Sequence, residues 1–278
     1  MKRIKLILVC GLVLALTGLT TLVVAAGAQR DTKAIVRSVH GDVTYQADGA
    51  GPFLPLKVNT ELHQKTVLKS GPGADAYLQV NGYTSTVKLG ENTTVTLAVM
   101  TAMGPGSNAD TSTDLKLDGG ALLGMVKKLS ANSEYRVVVP CGVAGVRGTD
   151  FQVTVTYQGN GNFTVVFTSV TGTIVCQVRL APGVMGQDRQ TLNTGESWTV
   201  TASGTTVLTV NQPQTLSASA LAALNLAITT LGPLPTPPAT TPPPPSPPTV
   251  TPPNTSGSQT GGSDNSGSGS GGGGGSGI

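Results

Sequence analysis

Charge is scarce in this sequence. Only 11% of its 278 residues are Asp, Glu, Lys or Arg, and 4% are aromatic. There are two histidines, His40 and His63, and one tryptophan, Trp198. No HExxH, no paired-histidine spacing, no G-x-S-x-G and no cysteine-rich metal spacing occurs. The carboxylates are scattered through turns and strand ends. A facing pair of the glycosidase kind remains open on sequence alone, but aromatic rings to stack on sugar are few. No catalytic residue, no metal ligand and no cofactor is therefore assigned. A basic patch is missing as well. The chain has 17 Lys and Arg against 14 Asp and Glu, and three of the basic residues, Lys2, Arg3 and Lys5, lie at the very start. Without them the charges balance, and no basic cluster with interleaved aromatics points to nucleic acid.

What is present at the two ends is compositional. Lys2, Arg3 and Lys5 precede an apolar run from Leu6 to Leu16 and a weaker one to Val24. "VVAAGAQR" then supplies an A-x-A site at Ala26 and Ala28, so residues 1–28 are expected to be a signal peptide cleaved after Ala28. Left uncleaved, the segment would be the only membrane contact of the chain. Cys10 follows Val9 too early to be a lipidated cysteine. At the other end, residues 232–253 are a Pro/Thr-rich linker expected to be extended polyproline II. Residues 254–278 are a Gly/Ser-rich tail expected to be disordered.

Between the ends, residues 29–210 read as one β domain, a size typical of a single core. Short runs of Val, Thr, Tyr and Leu recur every eight to twelve residues, separated by Gly and Asn, which is the pattern of an all-β fold. Antiparallel sandwich and solenoid-like stack both fit it. Asn81-Gly82, between "ADAYLQV" and "YTSTVKL", marks a hairpin. In "GTIVCQV", Ile174, Cys176 and Val178 share one face. A polar loop is expected over Thr101 to Ser112, followed by separate strands in "TDLKLDGG" and "ALLGMVKKL". Residues 211–231 hold the one helix, in the Ala/Leu-rich stretch Thr215 to Leu231, apolar nearly all round. Cys141 and Cys176 are candidates for a disulfide in an exported chain, and equally ordinary as buried free thiols.

The most distinctive stretch is "VVVPCGVAGVRGTDFQVTV", Val137 to Val155. Gly142, Gly145 and Gly148 do not form G-x-G-x-x-G, and the element after them alternates like a strand. A phosphate cradle needs a helix N-terminus there. The glycines are read instead as turns and close backbone approaches. Arg147 is read as a buried cation held by carbonyls or a carboxylate, with Glu134 or Asp150 as partner.

The order of these motifs resembles the FecR-type domain of periplasmic regulators of iron-uptake signalling, over about Ala34 to Val200. "IVRSVHGDVTY" is similar to its opening strand pair and "LKLDGGALLGMVKK" to its strand-Gly-Gly-strand. In "YRVVVPCGVAGVRGTDFQV", Arg147, Gly148, Thr149 and Phe151 match an Arg-Gly-Thr-x-Phe signature. "FTVVFTSVTGTIVCQV" and "QTLNTGESWTV" resemble the closing strands. Regulators of that family also carry a cytoplasmic anti-sigma segment, a membrane span and a C-terminal α/β subdomain. This sequence shows a leader, one helix and proline repeats in those places. The resemblance implies an exported, non-enzymatic β domain, in the periplasm or at the cell surface, working on an envelope protein partner, with the signature as framework. A structural cell-surface or matrix protein with a Pro/Gly-rich stalk is the competing reading.

Overall fold

A computed structural model describes residues 29–81, 85–104 and 109–232. The expected signal peptide, the Pro/Thr-rich and Gly/Ser-rich segments from 233 onward and Gly82 of the Asn-Gly pair lie outside the described residues.

The chain runs through β1 (Gln29–Asp31), β2 (Ala34–His40), β3 (Val43–Gln46), β4 (Leu54–Pro55), β5 (Glu61–Leu62), β6 (Val67–Ser70), β7 (Asp75–Val80), β8 (Ser85–Leu89) and β9 (Thr94–Met103). Then come β10 (Asp110–Val126), β11 (Glu134–Val139), β12 (Gly142–Val146), β13 (Asp150–Tyr157), β14 (Asn162–Thr171) and β15 (Ile174–Val178). β16 (Arg189–Leu192), β17 (Glu196–Ser203), β18 (Thr206–Val210), β19 (Gln214–Thr215) and the helix α1 (Ala218–Thr230) complete it.

The strands form two sheets. The first runs β4–β3–β6–β9–β10–β11–β12–β15–β16, with β1 beside the far half of β9. The second runs β5–β2–β7–β8–β10–β13–β14–β17, with β18 and β19 both on β17. Every ladder is antiparallel except β10 with β11. β10 belongs to both sheets: Ser112 to Lys116 pair with β11, and Gly120 to Met125 pair with β13. An isolated bridge from Leu180 to Val207 ties the far edges. A ring can be traced through that bridge, but one bridge is not a strand pair, so the architecture is a curled half-barrel rather than a closed barrel.

The all-β reading with one C-terminal helix is therefore correct. Alternation places the core. Val36, Leu78, Leu122, Val153 and Val165 of the second sheet and Leu68, Val95, Leu117, Val137 and Cys176 of the first are buried in a single cluster. Each such side chain contributes about 1.5–3 kcal/mol by leaving water, set against the entropy of ordering the chain. Two ring pairs thicken the core. Tyr135 meets Phe151 edge-on at 6.2 Å, across the two sheets, and Phe167 stacks on Trp198 at 6.0 Å. The Trp198 indole donates to the Asn211 carbonyl at 3.0 Å, so its polar edge is not stranded.

Three local expectations change. "TDLKLDGG" and "ALLGMVKKL" are not two strands but one, bent at Gly119-Gly120 as it changes sheets. Gly120 has φ +86, and a Cβ there would lie 2.3 Å from Thr93 Oγ1, so only glycine fits the bend. Half of the expected polar loop is strand, since Thr101 to Met103 extend β9 and Asp110 to Ser112 open β10. Residues 105–108 between them are outside the described set. The helix starts later than Thr215, because Gln214 and Thr215 pair with β17 instead. Ser217 caps it, its hydroxyl accepting from the Ala220 N–H at 3.2 Å.

Candidate interaction surface

The glycine stretch is the hinge on which the second half turns. β11 and β12 form a tight hairpin, Val139 opposite Gly142, with Pro140 and Cys141 as the loop. Gly142 to Val146 are thus a strand in their own right, between β11 and β15, where turns were expected. The crossing to the second sheet is confined to Arg147, Gly148 and Thr149.

Each signature residue serves that crossing. Arg147 is exposed, not buried, and its partners are neither Glu134 nor Asp150. Its guanidinium donates to the carbonyls of Ser130 and Ala131, both at 2.8 Å, and so holds the loop after β10. A guanidinium has five donors and finds backbone oxygens as readily as carboxylates. Glu134 instead faces Arg136 at 3.7 Å, and Asp150 accepts from the Thr171 hydroxyl at 2.7 Å. Gly148 has φ +78, and a Cβ there would lie 2.8 Å from Lys128 Cα. Thr149 is buried, donating to the Thr173 carbonyl at 2.9 Å, while its own carbonyl accepts from Val126 N–H at 3.1 Å. Phe151 is fully buried, its ring lying on Gly124 and against Tyr135.

The loop that Arg147 holds is also stitched from below. Asp110 accepts from Ser130 Oγ at 2.6 Å and Asn132 Nδ2 at 3.1 Å. These hydrogen bonds, Ser130 first, hold the Asp110 carboxyl below its ordinary value.

Cys141 and Cys176 are free. Cys141 sits across from Arg179, whose N–H donates to its carbonyl, whereas Cys176 pairs with Ala144. The offset of three residues is about 10 Å along the strand, beyond the roughly 7 Å that a disulfide spans. Burial pushes the Cys141 thiol up to about 11 and that of Cys176 higher still. Neither is a poised nucleophile.

The histidines are not brought together. His63 follows β5, whose Leu62 pairs with Ala34 at one end of β2, and His40 is at the other end, about 20 Å away at strand rise. Both are exposed. Among the described residues no group of three His, Cys, Asp or Glu is placed to hold a metal ion.

What the fold offers is faces. On the outer side of the first sheet, Arg136 grips Asp114 through Nε at 2.7 Å and Nη2 at 2.8 Å, which raises the guanidinium pKa. The outer side of the second sheet carries Arg37, Asp75 and Lys88 on β2, β7 and β8 and is rich in threonine further along. Thr156, Thr164, Thr201 and Thr209 stand in one row across β13, β14, β17 and β18. Elsewhere on this sheet α1 lies over Leu123 and Val170, burying Ile228. Beyond the end of α1 is a cleft of about 510 Å³, lined by Arg37, Ser38, Tyr77, Gln79 and Thr86 from the sheet and Leu231 from the helix end. Lys88 sits over the Tyr77 ring at 5.0 Å. Partial burial alone would depress the Lys88 ammonium, but the Tyr77 hydroxyl and Asp75 outweigh it, and its pKa is raised. The row and the cleft escape the sequence reading, because each is assembled from strands far apart in the chain.

The β10 bend and the Arg147–Phe151 crossing both fall within one family match. Residues 66–174 match the family model described as FecR protein. The match runs from the residue before β6 to the first residue of β15, so the matched stretch takes in β10, the hairpin and the signature. No curated protein sequence matches the chain. Two crystal structures of a "putative anti-sigma factor" from Parabacteroides distasonis ATCC 8503, at 1.65 Å and 2.50 Å resolution, are similar to it at 15% identity and a TM-score of 0.40. The likeness covers 56% of this chain, and 63% and 62% of theirs. The chain thus spans less than two thirds of the length of either.

Proposed function

We propose that the protein is exported and acts without catalysis, by contact with an envelope protein, in signalling or its regulation. The observation that carries this reading is the FecR match over residues 66–174. The Arg147–Phe151 signature supports it, since its side chains are spent on the domain's own backbone and core. The leader-like residues 1–28 support export. Contact falls to the outer sheet faces, where side chains are available to a partner.

Cross-linking the tagged full-length protein in intact cells, followed by purification from the envelope, tests the reading. One specific envelope protein recovered, with a transcriptional change on gene deletion, is the expected outcome. Recovery of no partner together with an unchanged transcript profile would sink it.

A structural role at the cell surface is the second reading, favoured by the proline-rich and Gly/Ser-rich composition from 232 onward. Protease shaving of intact cells separates the two. Release of the domain favours a surface stalk, and full protection favours a periplasmic site.

A further inference from the structure

We propose that the cleft beyond α1 binds a small α-amino acid, with the ligand's carboxylate on Arg37 and its ammonium at the C-terminal end of the helix. The sheet side suits an anion. Arg37 is the one charged residue among the described residues that line the cleft. It is the extra residue of a bulge in β2, because Val36 pairs with Leu78 and Ser38 with Tyr77, and a bulge re-aims a side chain. Its guanidinium donates to Gln79 Oε1 through Nε at 2.7 Å and through Nη2 as well. Gln79 is 3% exposed, so the fork is anchored on a buried amide. Among the described residues no carboxylate pairs with Arg37. Two of five guanidinium donors are used on Gln79, and the others suit a carboxylate. Lys88, over the neighbouring Tyr77 ring, already has Asp75 at 3.5 Å.

The Thr86 hydroxyl points to a polar ligand independently of that charge. Thr86 is 5% exposed and lines the same cleft. Its hydroxyl makes no hydrogen bond to any described residue, yet no fully buried side-chain oxygen among those residues lacks a partner. The hydroxyl therefore meets solvent, and it does so in the cleft. A nearly buried hydroxyl without a protein partner is costly, and a bound carboxylate or ammonium supplies one.

The helix side suits a cation. The last carbonyls of an α-helix have no partner within it and form the negative end of its dipole. Thr230 and Leu231, at that end of α1, line the cleft. A simple anion such as phosphate is opposed there, whereas a zwitterion satisfies both sides. The Tyr77 ring and the Leu231 side chain give the ligand's own side chain an apolar wall. The volume of about 510 Å³ falls within the range of small-molecule sites. The inference does not depend on the signalling reading.

The test titrates the full chain with L-leucine and L-alanine at millimolar concentrations, following the Tyr77 and Thr86 resonances. Saturable shifts at both residues are expected with at least one of the two. Leucinamide, which lacks the carboxylate, and isocaproate, which lacks the ammonium, should each bind about tenfold more weakly than leucine. Arg37→Gln should weaken leucine about tenfold as well. Thr86→Val keeps the side-chain shape and should weaken leucine several-fold without lowering the urea midpoint, because no protein contact of the hydroxyl is lost. Absence of a saturable shift with both amino acids would overturn the proposal. So would isocaproate binding as tightly as leucine, since the helix end would then contribute nothing. N-acetyl-leucine binding as tightly as leucine would overturn it too, because the ligand would then be the C-terminal end of a peptide rather than a free amino acid.

Discussion

Arg147, Gly148, Thr149 and Phe151 each meet a different part of the crossing between sheets. Arg147→Ala removes two charge-assisted bonds from an exposed site and should cost about 1 kcal/mol. Gly148→Ala forces a Cβ into left-handed backbone against Lys128 and should cost about 1–3 kcal/mol. Phe151→Ala empties the middle of the core and should cost about 3–5 kcal/mol. Urea unfolding midpoints check the order, with Phe151→Ala worst and Arg147→Ala mildest. The signature was legible in the sequence as a motif, and carbonyls were one of the two kinds of partner expected for Arg147. Which carbonyls it meets was not legible, because every residue carries one and no sequence marks the one that is met. The cysteine pair stayed open between disulfide and buried free thiols for a related reason: both positions are buried, but ladder register decides their separation, and the thiols are free. Alkylation of the folded protein at pH 8 should leave Cys141 and Cys176 unmodified, and denaturation should expose both, each as a free thiol.

At the level of elements, alternation of side chains carried most of the reading. β7, β13, β15 and β17 follow it closely, with every second residue buried over most of their length. The strand β10 was misread because Gly-Gly normally signals a turn, and a bend that passes a strand from one sheet to another uses the same residues. Gly120→Ala should therefore cost about 3 kcal/mol, judged by the clash with Thr93 and the positive φ. An Ala at Gly159, where a Cβ meets nothing within 4 Å, should change the urea midpoint little and serves as the control. The helix start was misplaced because Thr215 suits a strand as well as a cap, and pairing with β17 decided the matter.

For the molecule as a whole, acid is the informative variable. Asp110 and Glu61 have folded pKa values below their ordinary values of 3.8 and 4.5, Asp110 through Ser130 and Glu61 through Lys33. A depressed carboxyl contributes stability that is fully present above its unfolded pKa and lost as pH falls through the folded one. Melting temperature should accordingly hold steady from pH 7 to about 5 and decline below pH 4. Asp110→Asn should lower stability at pH 7 and flatten part of that decline. The arrangement of the two sheets was the part least legible in the sequence, because it depends on which distant strands meet. Its consequence lies in how the molecule comes apart. With β10 woven into both sheets, neither can be lost without stripping a neighbour from the other, and the strands after it hang from the same ladder. The domain has no half that survives alone. It should melt in one all-or-none step, and a protease that cuts within β10 should leave no stable fragment.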